Sequence, residues 1–236
     1  MHLTSPALGR RIIVIGLGLL AAVLVAVALL KWTPDVYRRT AAVGPDDPAR
    51  GRFNEEVLNR IGNVLLDRSG RTRLELAVTE EMASARLAAV VDEEERAGRT
   101  LPAAVRNLRV GFEPGCVVLA TRIGRGITSV VISQHLRLEA MPDGALRIEP
   151  AGLRAGLVPL PSVLLQDACR TLARRTAAGR AAEDEKSIDF TQYFLEALEG
   201  RPVFLGSGRK RILLERVQAD RGVLRVEGRR ADAPQE

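Results

Sequence analysis

The chain has 236 residues, 46% hydrophobic and 27% charged, a mixture that suits one folded domain with appendages and excludes a disordered chain. Its formal net charge of +6 is spread thinly: from Gly51 onward there are 29 basic and 26 acidic residues. The high isoelectric point therefore makes no case for nucleic acid as a partner.

The first element is the strongest. Ile12 to Leu30 is an uncharged apolar run bounded by Arg10 and Arg11 on one side and by Lys31 and Trp32 on the other. At 1.5 Å per residue it spans roughly 28 Å, close to the hydrocarbon thickness of a bilayer. A cleaved signal would have an apolar core of only about 7–15 residues and a small-x-small site after it. Residues 1–32 are therefore expected to form an N-terminal transmembrane anchor. The short N-terminal tail favours a cytoplasmic N-terminus, which places the remainder outside the cytoplasm.

Residues 33–51 hold Pro, Gly and Asp without an apolar period and read as a tether. Residues 52–236 then form an extracytoplasmic α+β domain. Phe53 to Leu66 fits a helix weakened by Gly62. In TRLELAV, residues Leu74, Leu76 and Val78 alternate onto one face of a strand. Thr79 can cap the following helix, whose apolar stripe is Ala83, Leu87, Val90 and Val91. The acidic run Asp92 to Glu95 reads as a solvated helix end.

Extended segments follow at Val105–Phe112, Cys116–Ile123, Ile127–Ala140 and Ala145–Gly156, separated by EPG, GRG and MPDG turns. They predict an antiparallel meander, with Val130, Ile132, Leu136 and Leu138 on a covered face and Ser129, Ser133, His135, Arg137 and Glu139 on an open one. The third strand is long enough to require a bend, for which Gly124 and Gly126 are available. The Pro-x-Pro of LVPLPS is expected to end the ladder, and Ser162 to start a helix with Leu165, Ala168, Cys169 and Leu172 inward.

Asp189 opens a further helix, with Phe190, Tyr193, Phe194, Ala197 and Leu198 on one face and Gly200 and Pro202 beyond its end. A closing hairpin turns at Asp220, Arg221 and Gly222.

Signatures of chemistry are sparse. His135 is the single histidine outside the N-terminal tail and lies in no Cys-His or His-His ligand spacing, so neither a metal site nor a catalytic residue is expected. Ser207 sits between glycines but fits neither the G-x-S-x-G elbow nor a Walker loop. Cys116 and Cys169 could form a disulfide or remain thiols.

The order of features resembles YpmS-like bacterial membrane-anchored proteins and, more distantly, tubular lipid-binding proteins. The likeness runs over roughly Arg71 to Gly228, through "LAVTEEMASARLAAVV", "VRNLRVGFEPGCVVLATRI", "GALRIEPAGLRAGLVPLPSVLL" and "RILLERVQADRGVLRVEG". It implies a long, curved antiparallel β-meander packed on helices, with an apolar lining able to hold an acyl chain. The expected function is a non-enzymatic membrane-tethered module without cofactor, binding membrane lipid. Phe190, Tyr193, Phe194 and Leu198 are its acyl-contact candidates, and Arg209, Lys210 and Arg211 its headgroup candidates. The alternative is a cell-envelope scaffold with a filled core and another membrane protein as partner.

Overall fold

A computed structural model describes residues 20–40, 47–67, 72–98, 106–161, 202–207 and 210–231. Within these residues the fold is α+β, built on two antiparallel sheets. The helices are α1 (20–31), α2 (Asp35–Arg39), a continuous run of α3 (Ala49–Arg52), a π-helical turn (Phe53–Leu58) and α4 (Asn59–Leu66), and α5 (Glu80–Arg96). The strands are β1 (Arg73–Thr79), β2 (Arg109–Glu113), β3 (Cys116–Ile123), β4 (Val130–Ala140), β5 (Leu146–Ala155), β6 (Val158–Leu160), β7 (Leu205–Ser207), β8 (Lys210–Asp220) and β9 (Val223–Arg230).

Strands β2 to β6 form the expected meander in sequence order. The β8–β9 hairpin instead returns to β1, the first strand of the chain, so that Leu76 stands opposite Val226 and Val78 opposite Leu224. Together with β7 they make a second sheet, in the order β1-β9-β8-β7.

The core follows from these faces. β1 alternates strictly, burying Leu74, Leu76 and Val78. Phe112, Val117 and Leu136 from the meander join them, with Ile212 and Leu214 of β8, Val57 and Val64 of the helical run and Met82 of α5. Thr79 caps α5 as expected, its hydroxyl accepting from the Met82 backbone N–H at 3.2 Å.

Both long hairpins carry one inserted residue, a bulge of the kind that bends its strand. In β5, Pro150 pairs with Leu136 and Gly152 with His135, leaving Ala151 unpaired. In β8, Leu214 pairs with Gly228 and Arg216 with Glu227, leaving Glu215 unpaired. Each bulge switches the parity of its strand. Thus Ile212 and Leu214 are buried before the β8 bulge and Ala219 after it.

Four further expectations change. β4 begins at Val130, because Gly126–Thr128 form a 3-10 turn. The ladder ends at Leu160, inside the Pro-x-Pro, but only after its first proline has joined: β6 adds a short edge strand in which Pro159 stands opposite Arg154, a place where a missing N–H is tolerated. The segment 33–51 is not wholly a tether, since α2 buries Val36 and Tyr37. Finally, the meander is covered on both faces over the first half of β4, where Val131 and Ser133 are buried as well as Gln134 and Leu136.

The second cover is α2. A Cβ on Gly111 would lie 2.1 Å from Val36 Cγ1, so glycine is what lets this short helix sit on the sheet. Arg109 fixes the end of α2 by donating to the carbonyls of Tyr37 (2.6 Å) and Thr40, and its guanidinium lies 4.0 Å from the Tyr37 ring centroid.

Among the described residues no helix is long and apolar enough to cross a membrane. Helix α1, about 18 Å long at 1.5 Å per residue, is the described part of the Ile12–Leu30 run; the rest of that run lies outside the described residues.

Candidate functional site

Two places bring chemistry-bearing groups together. The first is the seat of α1. Residues 20–29 are exposed throughout, including Leu20, Val23, Leu24, Val25 and Val27, so the described residues leave this helix uncovered along its length. Its C-terminal end is held. The Leu157 N–H donates to the Leu29 carbonyl at 3.0 Å, and Lys31 Nζ donates to the Ser129 carbonyl at 3.0 Å. Gly156, at φ +60°, makes the approach possible: a Cβ there would fall 2.3 Å from the Leu29 oxygen and 2.5 Å from the Leu30 oxygen. The exposed Arg122, Ile123, Arg125 and Leu157 lie at this end of the meander.

The opposite end of the meander carries the β2–β3 and β4–β5 turns, and these rest on β8. Gly115 N–H donates to Ala219 O at 2.9 Å, and Leu214 N–H donates to Gly144 O at 2.9 Å. Arg211, three residues before Leu214, stacks its guanidinium 4.9 Å from the Phe204 ring centroid. The β4 strand between the two ends, Val130–Ala140, is about 35 Å long at 3.2–3.4 Å per residue. Arg211 therefore lies at the end away from α1. Lys210 opens β8, and Arg209 lies outside the described residues, as do Phe190, Tyr193, Phe194, Leu198 and Cys169.

The second place is on the outer face of the meander, at its β8 end. Glu113, the last residue of β2, stands directly opposite Cys116, the first of β3, across the Pro114-Gly115 turn. His135 of β4 pairs with Val118, which puts it diagonally beside Cys116 on the same face. Cys116 Sγ is 3.8 Å from His135 Nδ1, and Glu113 Oε2 is 3.9 Å from that same nitrogen. The three donor atoms all lie within 4.8 Å of one another.

His135 is thus not the solvated sheet histidine its alternation indicates. Its side chain is only 15% exposed. Burial, with Arg154 adding to it, lowers its pKa from the ordinary value, while Glu113 pulls the other way. Burial and Glu113 raise the pKa of Cys116 against the opposing pull of Arg154 and Arg137. Cys116 has no disulfide partner among the described residues; Cys169 lies outside them.

The arrangement is not a nucleophile-base-orienter relay. Such a relay uses both imidazole nitrogens, one toward the nucleophile and one toward the carboxylate; here Cys116 and Glu113 face the same nitrogen. A thiol whose pKa is raised is also a poor nucleophile. Spacing along the chain could not reveal the cluster, since its members are brought together by a hairpin turn and a strand register. The one legible signal was that Glu113 and Cys116 flank a Pro-Gly turn.

No family model, curated protein or solved structure shows a significant match to this chain.

Proposed function

We propose that this chain is a non-enzymatic, single-pass membrane-tethered module of the cell envelope, held end-on at the bilayer and acting through its surface on lipid headgroups and another envelope protein. The observation that carries this reading is α1. Apolar side chains exposed on every side of a helix are unfavourable in water and suited to hydrocarbon. Lys31 and Trp32, both exposed, follow at the position of an interface.

The anchor's end is hydrogen-bonded to the meander rather than joined to it by a slack linker, so the domain has a defined orientation toward the membrane. In that orientation the surface bearing Arg122, Ile123, Arg125 and Leu157 meets the headgroups, where cationic and apolar side chains are both accommodated. Arg211, about 35 Å of strand away, is too distant to share that contact.

Between lipid-holding groove and filled scaffold, the packed space between the sheets supports the scaffold. Phe112, Leu74 and Ile212 are at most 1% exposed and belong to one cluster. The acyl-chain reading rests on a helix expected from the sequence at 189–200, residues that lie outside those described. Docking on β2 is disfavoured, because Ser84 takes both backbone groups of Val110, at 3.3 Å each, and Glu80 and Arg39 take those of Phe112.

Trp32 is the only tryptophan, so its fluorescence reports one position. In vesicles carrying brominated lipids at graded depths, the full chain is expected to show quenching strongest at interfacial depth, and to resist alkaline carbonate extraction. Release of the intact chain by carbonate, or an unquenched Trp32, would overturn the reading. Absence of binding to a fluorescent fatty acid at micromolar concentration would separate scaffold from acyl carrier.

A further inference from the structure

We propose that Glu113, Cys116 and His135 form a three-ligand site for a borderline divalent cation, Zn²⁺ in the first instance, with a fourth position open to solvent. The site goes beyond the tethered-module reading and does not depend on it.

The argument starts from convergence. One imidazole nitrogen faces a thiol sulfur and a carboxylate oxygen at nearly equal distance, 3.8 and 3.9 Å. A single proton on that nitrogen can serve only one of the two neighbours. A cation among the three atoms serves all of them.

The donors are also of the right kind. Thiolate, imidazole and carboxylate are the three side-chain ligands zinc takes, at about 2.3, 2.0–2.1 and 2.0–2.2 Å respectively. With tetrahedral angles those bonds put the donor atoms about 3.4–3.6 Å apart. The observed separations are 3.8 and 3.9 Å, with every pair within 4.8 Å. The adjustment required falls mainly on Glu113, whose side chain is 38% exposed and free to shift its carboxylate.

The backbone is already in place. Glu113 and Cys116 are a directly opposed pair, His135 is held in register between β3 and β5, and the turn joining Glu113 to Cys116 is bound to β8 through Gly115. A site on paired strands loses little order on binding. Partial exposure of all three residues gives the cation an entry path and leaves room for a water or anion as fourth ligand, the pattern of an open rather than a closed structural site. Arg137 and Arg154, near enough to act on Cys116, oppose the cation and offset the two anionic ligands, which favours an anionic fourth ligand.

The test uses the full chain in mild detergent, stripped with a chelator and titrated with Co²⁺ as a spectroscopic substitute for Zn²⁺. The expected result is one equivalent bound per chain with a thiolate-to-cobalt charge-transfer band and tetrahedral visible bands, both displaced by Zn²⁺. Cys116→Ser should abolish the charge-transfer band, and His135→Gln and Glu113→Gln should each weaken binding by about tenfold or more. As a second readout on the wild-type protein, Zn²⁺ should slow alkylation of Cys116, followed by mass spectrometry of its peptide, and should raise the melting temperature. No cobalt–thiolate band, a band that survives Cys116→Ser, or alkylation of Cys116 indifferent to Zn²⁺ would each overturn the proposal.

Discussion

Arg39 and Glu80 form a bidentate ion pair that closes around the backbone of Phe112. Arg39 Nη2 donates to Glu80 Oε1 at 2.7 Å and Arg39 Nε to Oε2 at 3.0 Å. Glu80 Oε1 also accepts from the Phe112 N–H at 2.6 Å, and Arg39 Nη2 donates to the Phe112 carbonyl at 2.8 Å. The Glu80 hydrogen bond, partly offset by burial, raises the pKa of Arg39. One pair thus ties α2, α5 and the edge of β2 together. Glu80→Ala leaves a strand N–H and a guanidinium without their acceptor and is expected to cost about 2–4 kcal/mol. Glu81→Ala removes the exposed Arg52–Glu81 pair, 47% and 55% exposed, and should change stability by about 0.5 kcal/mol or less. Urea unfolding of the two variants followed by circular dichroism checks the contrast; equal midpoints would show that the clamp is not where the stability lies.

Gly111 is the floor on which Val36 rests. Gly111→Ala should lift α2 from the sheet, at a cost of about 1–3 kcal/mol as an overpacked contact. Loss of that cover is expected to expose Arg38 and Arg39 to trypsin. The double variant Gly111→Ala/Val36→Ala removes the methyl in conflict and should recover part of the resistance. Unchanged cleavage in the single variant would mean that the Arg39–Glu80 and Arg109 contacts hold α2 without the close fit of Val36 on Gly111.

Leu136 and Arg137 test the register of the meander. Leu136 is 3% exposed in the main cluster, whereas Arg137 is exposed. Leu136→Asp is expected to cost several kcal/mol by burying an unpaired charge, and Arg137→Asp about 0.5 kcal/mol or less. Thermal melting of both variants decides, since the assigned faces require a wide gap between them.

Gly156→Val would drive a side chain into the carbonyls of Leu29 and Leu30 and should detach α1 from the meander. Membrane partitioning ought to persist, because the apolar run is intact, while the fixed orientation is lost. Spin labels placed at Trp32→Cys and Leu157→Cys in a background lacking Cys116 and Cys169 should show a narrow distance distribution when Gly156 is retained and a broad one when Gly156→Val is added. Identical distributions would mean that the α1 seat does not set the geometry.

Ser133 is 1% exposed and, among the described residues, its hydroxyl oxygen has no hydrogen-bond partner. Replacing it with Ala removes a buried unsatisfied group, so Ser133→Ala is expected to raise the melting temperature by a few degrees. A fall would show that the hydroxyl is satisfied in solution.

Local pattern determined a good deal of this protein. The alternation of Leu74, Leu76 and Val78, the Thr79 cap, the strand Cys116–Ile123 and the hairpin turning near Gly222 all depend on side-chain period or turn chemistry within a few residues, and each is present as read. What needed tertiary structure is whatever joins residues far apart in sequence. That β9 returns to β1, that α2 covers the outer face through the space left at Gly111, and that bulges fall at Ala151 and Glu215 are matters of packing between elements. The Glu113–Cys116–His135 cluster shows the limit most directly: a hairpin register and a strand register set its distances, and no spacing along one strand encodes both. The apolar run Ile12–Leu30 stands at the other extreme, since hydrophobicity and length are properties of the chain itself, while the seat that fixes its end against Gly156 exists only once the meander has folded.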